Sequence, residues 1–332
     1  MRFAVLALAL ALGVAACSEG PVMQAAPKPV PPELLINEMR MDDGATLPLR
    51  FWLPKGKPRR IVLALHGFND YSHAFEDTGK AFAEQGIATY AYDQRGFGDA
   101  PQRGRWAGTQ RMAQDLAEAT RLLRAKYPGV PLVVLGESMG GAVAVAGATG
   151  AAGADKPAAD AYILIAPAVW GRDYMNVFER SALWLAYNVV PGMTLTGQSL
   201  RIAASDNIEM LRALGRDPKV IKETRVATID GLVDLMTTAR NAAPKFDAPA
   251  LILYGAHDEI IPEAPVRDFV NALPTAPTLA SKRRVAWYKD GYHMLSRDLE
   301  AQLVISDMIA WMDNPKAGLP SGADQNLPKD WK

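Results

Sequence analysis

Ser138 stands in Gly136-Glu137-Ser138-Met139-Gly140-Gly141, with a glycine two residues away on either side, directly after the apolar run Val133-Val134-Leu135. A serine hydroxyl attacks a carbonyl only when a base takes its proton and fixed donors face the oxyanion that forms. The G-x-S-x-G spacing supplies the mechanical part. A strand ends in a turn tight enough to strain the serine backbone, and Gly136 and Gly140 let strand and helix come close. Context fits the motif: Val130 to Leu135 is β-branched and apolar after Pro128-Gly129, while Met139 to Gly147 is small and apolar, as a helix packed on a sheet requires. The chemistry to expect is nucleophilic attack on a carbonyl by Ser138.

The elements that must present this serine alternate along the chain. Leu34 to Met39 and Leu47 to Leu53 read as an opening antiparallel pair joined through Asp42-Asp43-Gly44. Short apolar runs follow at Ile61 to Leu65, Ile87 to Tyr92, Pro131 to Leu135, Ala161 to Ile165, Ala250 to Tyr254 and Arg284 to Tyr288, the pattern of buried parallel strands. Between them lie helical periods. Arg111 to Lys126 puts Met112, Leu116, Ala119 and Leu123 on one face, with Thr109 as cap and Pro128 as stop, and Leu299 to Met312 does likewise. The fold class is therefore α/β, a mostly parallel doubly wound sheet with helices on both faces over 34–168 and 242–313. From 169 to 241 the alternation lapses into amphipathic helix, which reads as a helical lid inserted after the sixth strand.

In the α/β-hydrolase arrangement the remaining parts have fixed places in chain order. The loop after Ile61 to Leu65 is His66-Gly67-Phe68, so the Phe68 and Met139 amides form the expected oxyanion hole. Gly67 lets the loop turn its N–H groups inward, and His66 is expected to hold the loop by hydrogen bonding rather than to move protons. After Leu251 to Gly255 comes Ala256-His257-Asp258-Glu259, where Asp258 is the expected acid, Glu259 its competitor and His257 a loop residue. The base is expected last. His293, alone among four histidines, follows both serine and acid on its own loop. His73 reads as a solvated or capping residue.

With these residues in place, the chain resembles the monoacylglycerol lipase and lysophospholipase branch of the α/β hydrolases, which includes serine aminopeptidase-like members. The likeness is carried by His66-Gly67-Phe68, Asp93-Gln94-Arg95-Gly96-Phe97-Gly98, the Ser138 elbow and the acid and histidine loops, over about residues 34 to 313. It implies ester hydrolysis through an acyl-enzyme. In that family the Asp93-to-Gly98 loop shapes the floor of the site, and no catalytic role is carried over to Asp93 or Arg95. Phe178, Leu183, Trp184, Leu185, Val189 and Met193 in the insertion are expected mostly to pack it onto the core, any others lining an acyl pocket. Substrates in keeping with the resemblance are monoacylglycerols, lysophospholipids or simple esters. An aminopeptidase would need carboxylates to receive a free amine, for which Glu179, Glu209 and Glu223 are available; an acyltransferase or a non-catalytic binding lipoprotein are the other readings.

At 332 residues and 49% hydrophobic, the chain can bury a large core, and its 36 basic and 36 acidic side chains draw no nucleic acid. No metal-ligand spacing and no phosphate-binding glycine loop occurs, so no cofactor is expected. Residues 1–16 read as an export signal, with Arg2 ahead of the apolar Phe3 to Gly13 and Val14-Ala15-Ala16 before Cys17, the only cysteine. That ending resembles a bacterial lipoprotein box, which makes Cys17 the expected lipidation site and membrane anchor. Because Ser18 is not Asp, the expected location is the outer membrane, facing the periplasm. Residues 17–33, rich in proline, read as a tether, and 314–332 as an exposed tail.

Overall fold

A computed structural model describes residues 29–197, 202–276 and 282–331. The expected export signal, Cys17 and the tether up to residue 28 lie outside the described residues. Among them the strands are β1 (Glu33–Leu34), β2 (Glu38–Arg40), β3 (Thr46–Trp52), β4 (Arg60–Leu65), β5 (Ile87–Tyr92), β6 (Leu132–Glu137), β7 (Ala161–Ile165), β8 (Thr194–Thr196), β9 (Glu223–Arg225), β10 (Ala250–Gly255) and β11 (Arg283–Tyr288). The α-helices are α1 (Glu76–Glu84), α2 (Thr109–Lys126), α3 (Met139–Thr149), α4 (Val177–Val189), α5 (Ile208–Arg216), α6 (Val226–Asn241), α7 (Glu263–Asn271) and α8 (Ala301–Asp313).

Nine strands form one sheet in the order β1-β2-β3-β5-β4-β6-β7-β10-β11. From β5 to β11 every neighbouring pair is parallel, and β1 to β3 extend the sheet in antiparallel sense. Burial on both faces explains why the parallel strands read as unbroken apolar runs. In β4, Ile61, Leu63 and Leu65 enter one core cluster while Val62 and Ala64 enter the other, the two-residue period of a pleated strand. Helix α3 is buried from Met139 to Gly147, its small side chains letting it lie close on the sheet behind the elbow.

The structure departs from the sequence expectations in five places. The opening pair is three strands, because the chain turns at Ile36 and Asn37 between β1 and β2, so the insertion follows the seventh strand. Thr109 is the first residue of α2 rather than its cap; Gly108 holds that position at φ 90° without a side-chain bond. The insertion is not wholly helical, since β8 and β9 pair antiparallel within it, and α6 buries Val226, Val233, Leu235, Met236 and Ala239 as part of the core.

The apolar residues of the insertion mostly face solvent. Phe178 is 83% and Trp184 64% exposed, Leu185, Val189 and Met193 are exposed as well, and only Leu183 of this set packs on the core. Helix α4, which buries none of its residues fully, leans on α6 and leaves its outer apolar face uncovered. Finally, the carboxyl-terminal segment is docked rather than exposed. Leu319, Ala323 and Trp331 are buried, and the Trp331 ring lies 5.1 Å from Trp287 and 5.6 Å from Tyr254. Its indole Nε1 donates to Glu263 Oε1 at 3.0 Å. The prolines and glycines that remove periodicity here do not prevent three apolar side chains from capping the sheet beyond β11.

Candidate active site

Ser138 follows β6 directly and caps α3 with φ 52° and ψ −114°, a strained backbone for a residue bearing a Cβ. The strain is held by three bonds: Ser138 N donates to Ile165 O at 2.9 Å, and the Ala142 and Ala168 amides donate to Ser138 O. The glycine requirement is steric. A Cβ at Gly140 would lie 2.1 Å from the Leu65 carbonyl oxygen, and one at Gly136 would lie 2.5 Å from that of Gly140. Strand β4, strand β6 and helix α3 thus meet with no room for a methyl group.

Met139 is the first residue of α3, where N–H groups have no intrahelical acceptor. The other expected oxyanion donor, Phe68, follows Gly67, at which a Cβ would sit 3.4 Å from Ser138 Cβ, so this loop passes directly over the serine. Its ring packs edge-on against Phe97 at 5.6 Å. His66 is wholly buried and bridges two loops. Gln94 N donates to His66 Nε2 at 2.9 Å, which leaves Nδ1 to carry the proton and donate to Gly67 O at 2.8 Å. Burial pushes the His66 imidazolium below the ordinary histidine range, against the Gly67 bond and the charge of Asp93, so the ring is a neutral brace. Gln94 Nε2 donates in return to His66 O.

Asp258 and His293 come together although 35 positions apart. His293 Nδ1 donates to Asp258 Oδ2 at 2.7 Å, and both side chains are buried. The other carboxylate oxygen of Asp258 accepts from the Ile260 and Ile261 amides at 2.8 and 2.9 Å, which fixes its rotation. With Nδ1 donating, Nε2 is left as the proton acceptor. Burial alone would lower the His293 pKa, but the charge and bond of Asp258, with Glu137 assisting and Arg297 opposing, raise it above the ordinary value. The two loops meet through close backbone approach: a Cβ at Gly255 would lie 2.4 Å from the Gly291 oxygen, and His257 N donates to Gly291 O.

Other expected residues fall outside this pair. Glu259 is exposed, its Oε2 accepting from Ala203 N in the insertion. His257 stacks on Tyr292, and His73 stacks on Tyr71 beside Glu76. Asp93 accepts from the Ser72 and Asp99 amides, and Arg95 pairs with Asp115 and Asp43, which makes the floor loop an internally bonded structure. Glu179 closes a capping box with Asn176, Glu223 accepts from Thr194 and Glu209 is exposed.

Three residues not singled out in the sequence lie between the site loops: Asp70, Glu137 and Arg297, joined by ion pairs. Glu137 sits inside the serine motif, but nothing local marks its partner, which is 160 positions away. The insertion also grips the site loops. Asn69 O accepts from Ile221 N, Tyr71 donates to Asp217, Ala204 O accepts from Met294 N, and Ser205 donates to Asp298.

The profile of the hydrolase family described as serine aminopeptidase, S33 matches residues 56–300. A monoacylglycerol lipase of Mycolicibacterium smegmatis is 26% identical over 79% of this chain and 90% of its own length, and the mouse (Mus musculus) monoglyceride lipase is 24% identical over 84% and 91%. Among solved structures, a soluble variant of monoglyceride lipase from Saccharomyces cerevisiae superposes with a TM-score of 0.67 at 20% identity, over 89% of this chain and 98% of that one. A thermostable carboxyl esterase from Bacillus coagulans gives the same TM-score at 19% identity, over 88% and 99%.

Proposed function

Because the chain belongs to the serine aminopeptidase S33 family of α/β hydrolases, we propose that it cleaves carboxylic esters through a triad of Ser138, His293 and Asp258. The observation that carries the reading is the Asp258–His293 pair, whose geometry leaves Nε2 of a buried imidazole as the acceptor while Ser138 is raised on a strained elbow. In this mechanism His293 Nε2 takes the hydroxyl proton as Ser138 Oγ bonds to the ester carbonyl carbon. The carbonyl oxygen takes up the negative charge between the Phe68 and Met139 amides. Collapse expels the alcohol, which receives the proton from His293 and leaves an acyl-serine. Water, deprotonated by the same imidazole, then releases the acid and restores Ser138.

The substrate class we infer is a lipid-derived ester, a monoacylglycerol or lysophospholipid, with simple esters as poorer relatives. The names of the similar proteins and the uncovered apolar face of α4 both support it, since exposed side chains such as Phe178 and Trp184 suit contact with acyl chains or a lipid surface. A lipidated Cys17, proposed from the sequence, would hold the site beside such a surface at the outer membrane. Glu179 and Glu223 do not favour the aminopeptidase reading, as one caps a helix and the other accepts from Thr194. A chain-length series of p-nitrophenyl and monoacylglycerol esters tests the proposal. kcat/KM is expected to rise from acetyl to medium-chain acyl groups, and a higher value for proline anilide than for every ester would overturn it.

A further inference from the structure

Arg297 lies four residues beyond His293, its side chain only 10% exposed. The guanidinium donates from Nη1 to Asp70 Oδ2 at 2.7 Å and from Nη2 to Glu137 Oε1. Ser296 Oγ donates to the second oxygen of Glu137 at 3.3 Å, and the Tyr71 amide donates to the second oxygen of Asp70 at 2.9 Å. Asp70 and Glu137 are both buried. They belong to different parts of the site: Asp70 follows Phe68 by two residues, and Glu137 immediately precedes Ser138.

We propose that Arg297 is a positioning residue whose fork, spanning Asp70 and Glu137, sets the histidine loop in register with the oxyanion loop and the nucleophile. This rests on the hydrolase reading above and adds a residue to it. Two carboxylates and one guanidinium taken out of water contribute little net stability, since desolvation offsets their attraction, and an apolar trio could fill the space. What the apolar trio lacks is direction. A planar guanidinium donates to two carboxylates only at fixed angles, so it ties the three loops to one another. The parts it joins lie side by side, since a Cβ at Gly67 would be in ordinary van der Waals contact with Glu137 Oε1 at 3.6 Å and Ser138 Cβ at 3.4 Å. The charged groups facing His293 are Asp258 from the acid loop, Glu137 from β6 and Arg297 from its own loop.

The test uses the full chain and p-nitrophenyl butyrate, with kcat normalised to sites titrated by a fluorophosphonate. Arg297→Met, and Asp70→Asn/Glu137→Gln/Arg297→Met, which leaves no buried charge unpaired, are each expected to lose about 10²-fold in kcat with KM changed by less than about twofold. Arg297→Lys is expected to recover part of the loss. The acid limb of the kcat/KM profile should move to lower pH in Glu137→Gln and to higher pH in Arg297→Met, opposite displacements that a merely structural role would not produce. A triple variant within about threefold of the wild-type kcat, or limbs that stay in place, would overturn the role of Arg297. Wild-type turnover equal to that of Ser138→Ala would instead overturn the hydrolase reading itself.

Discussion

Replacing Asp258 by Asn changes one atom and tests the orientation of the base. The Ile260 and Ile261 amides hold one carboxylate oxygen at 2.8 and 2.9 Å, so the Asn carbonyl oxygen must take that place. The new NH₂ group then points at His293 Nδ1 across the 2.7 Å contact that the second carboxylate oxygen now makes. Two donors cannot face each other, so Nδ1 gives up its proton and the tautomer reverses, leaving Nε2 protonated and unable to accept from Ser138. Rotating the amide would instead set its NH₂ against two backbone N–H groups. A wrong tautomer in an otherwise intact triad costs about 10⁴ in kcat, or about 5 kcal/mol of transition-state stabilisation. Steady-state turnover of p-nitrophenyl butyrate, with circular dichroism showing an unchanged fold, measures it. A folded Asp258→Asn enzyme within about tenfold of wild type would refute the reasoning.

Four further outcomes follow from the structure. Because the proposed mechanism needs a neutral His293 and the pKa of that residue is raised, kcat/KM should fall on acidification with a midpoint above the ordinary imidazole value of about 6.5; a midpoint below about 6 would contradict the pairing. The same raised value means the Asp258–His293 pair stabilises the fold fully below the unfolded-state pKa and progressively less as pH rises through the folded one, so the Tm gap between wild type and His293→Gln should narrow toward alkaline pH. Gly140→Ala, whose methyl would meet the Leu65 oxygen at 2.1 Å, should cost about 3 kcal/mol or more in urea unfolding. Trp331→Ala should cost about 3 kcal/mol while leaving turnover per titrated site unchanged, and an unaltered urea midpoint would mean the docked carboxyl-terminal segment contributes nothing.

The parallel core was legible because its strands are buried on both faces and its helices keep a 3.6-residue period; Ile87 to Tyr92 and Ala161 to Ile165 end where the apolar runs end. Chain order pointed to Asp258 and His293 as partners, and the structure pairs Asp258 rather than Glu259 with His293, a choice that the Ile260 and Ile261 amides make by gripping Asp258. Long-range partnership was not legible. Arg297 meets Glu137 and Asp70 only because three loops converge on one edge of the sheet, and no local pattern distinguishes it from a solvated arginine. Period alone also misjudged burial in α4, where an apolar stripe faces outward, and at Trp331, where an aperiodic segment finds an aromatic seat on Tyr254 and Trp287.

The most direct measurement is fluorophosphonate labelling of the full chain followed by mass-spectrometric mapping of the adduct. The proposed mechanism predicts a single phosphonylated peptide carrying Ser138, absent in Ser138→Ala and formed far more slowly in His293→Ala. Stoichiometric labelling of another serine, or a rate at Ser138 indifferent to loss of the imidazole, would contradict it.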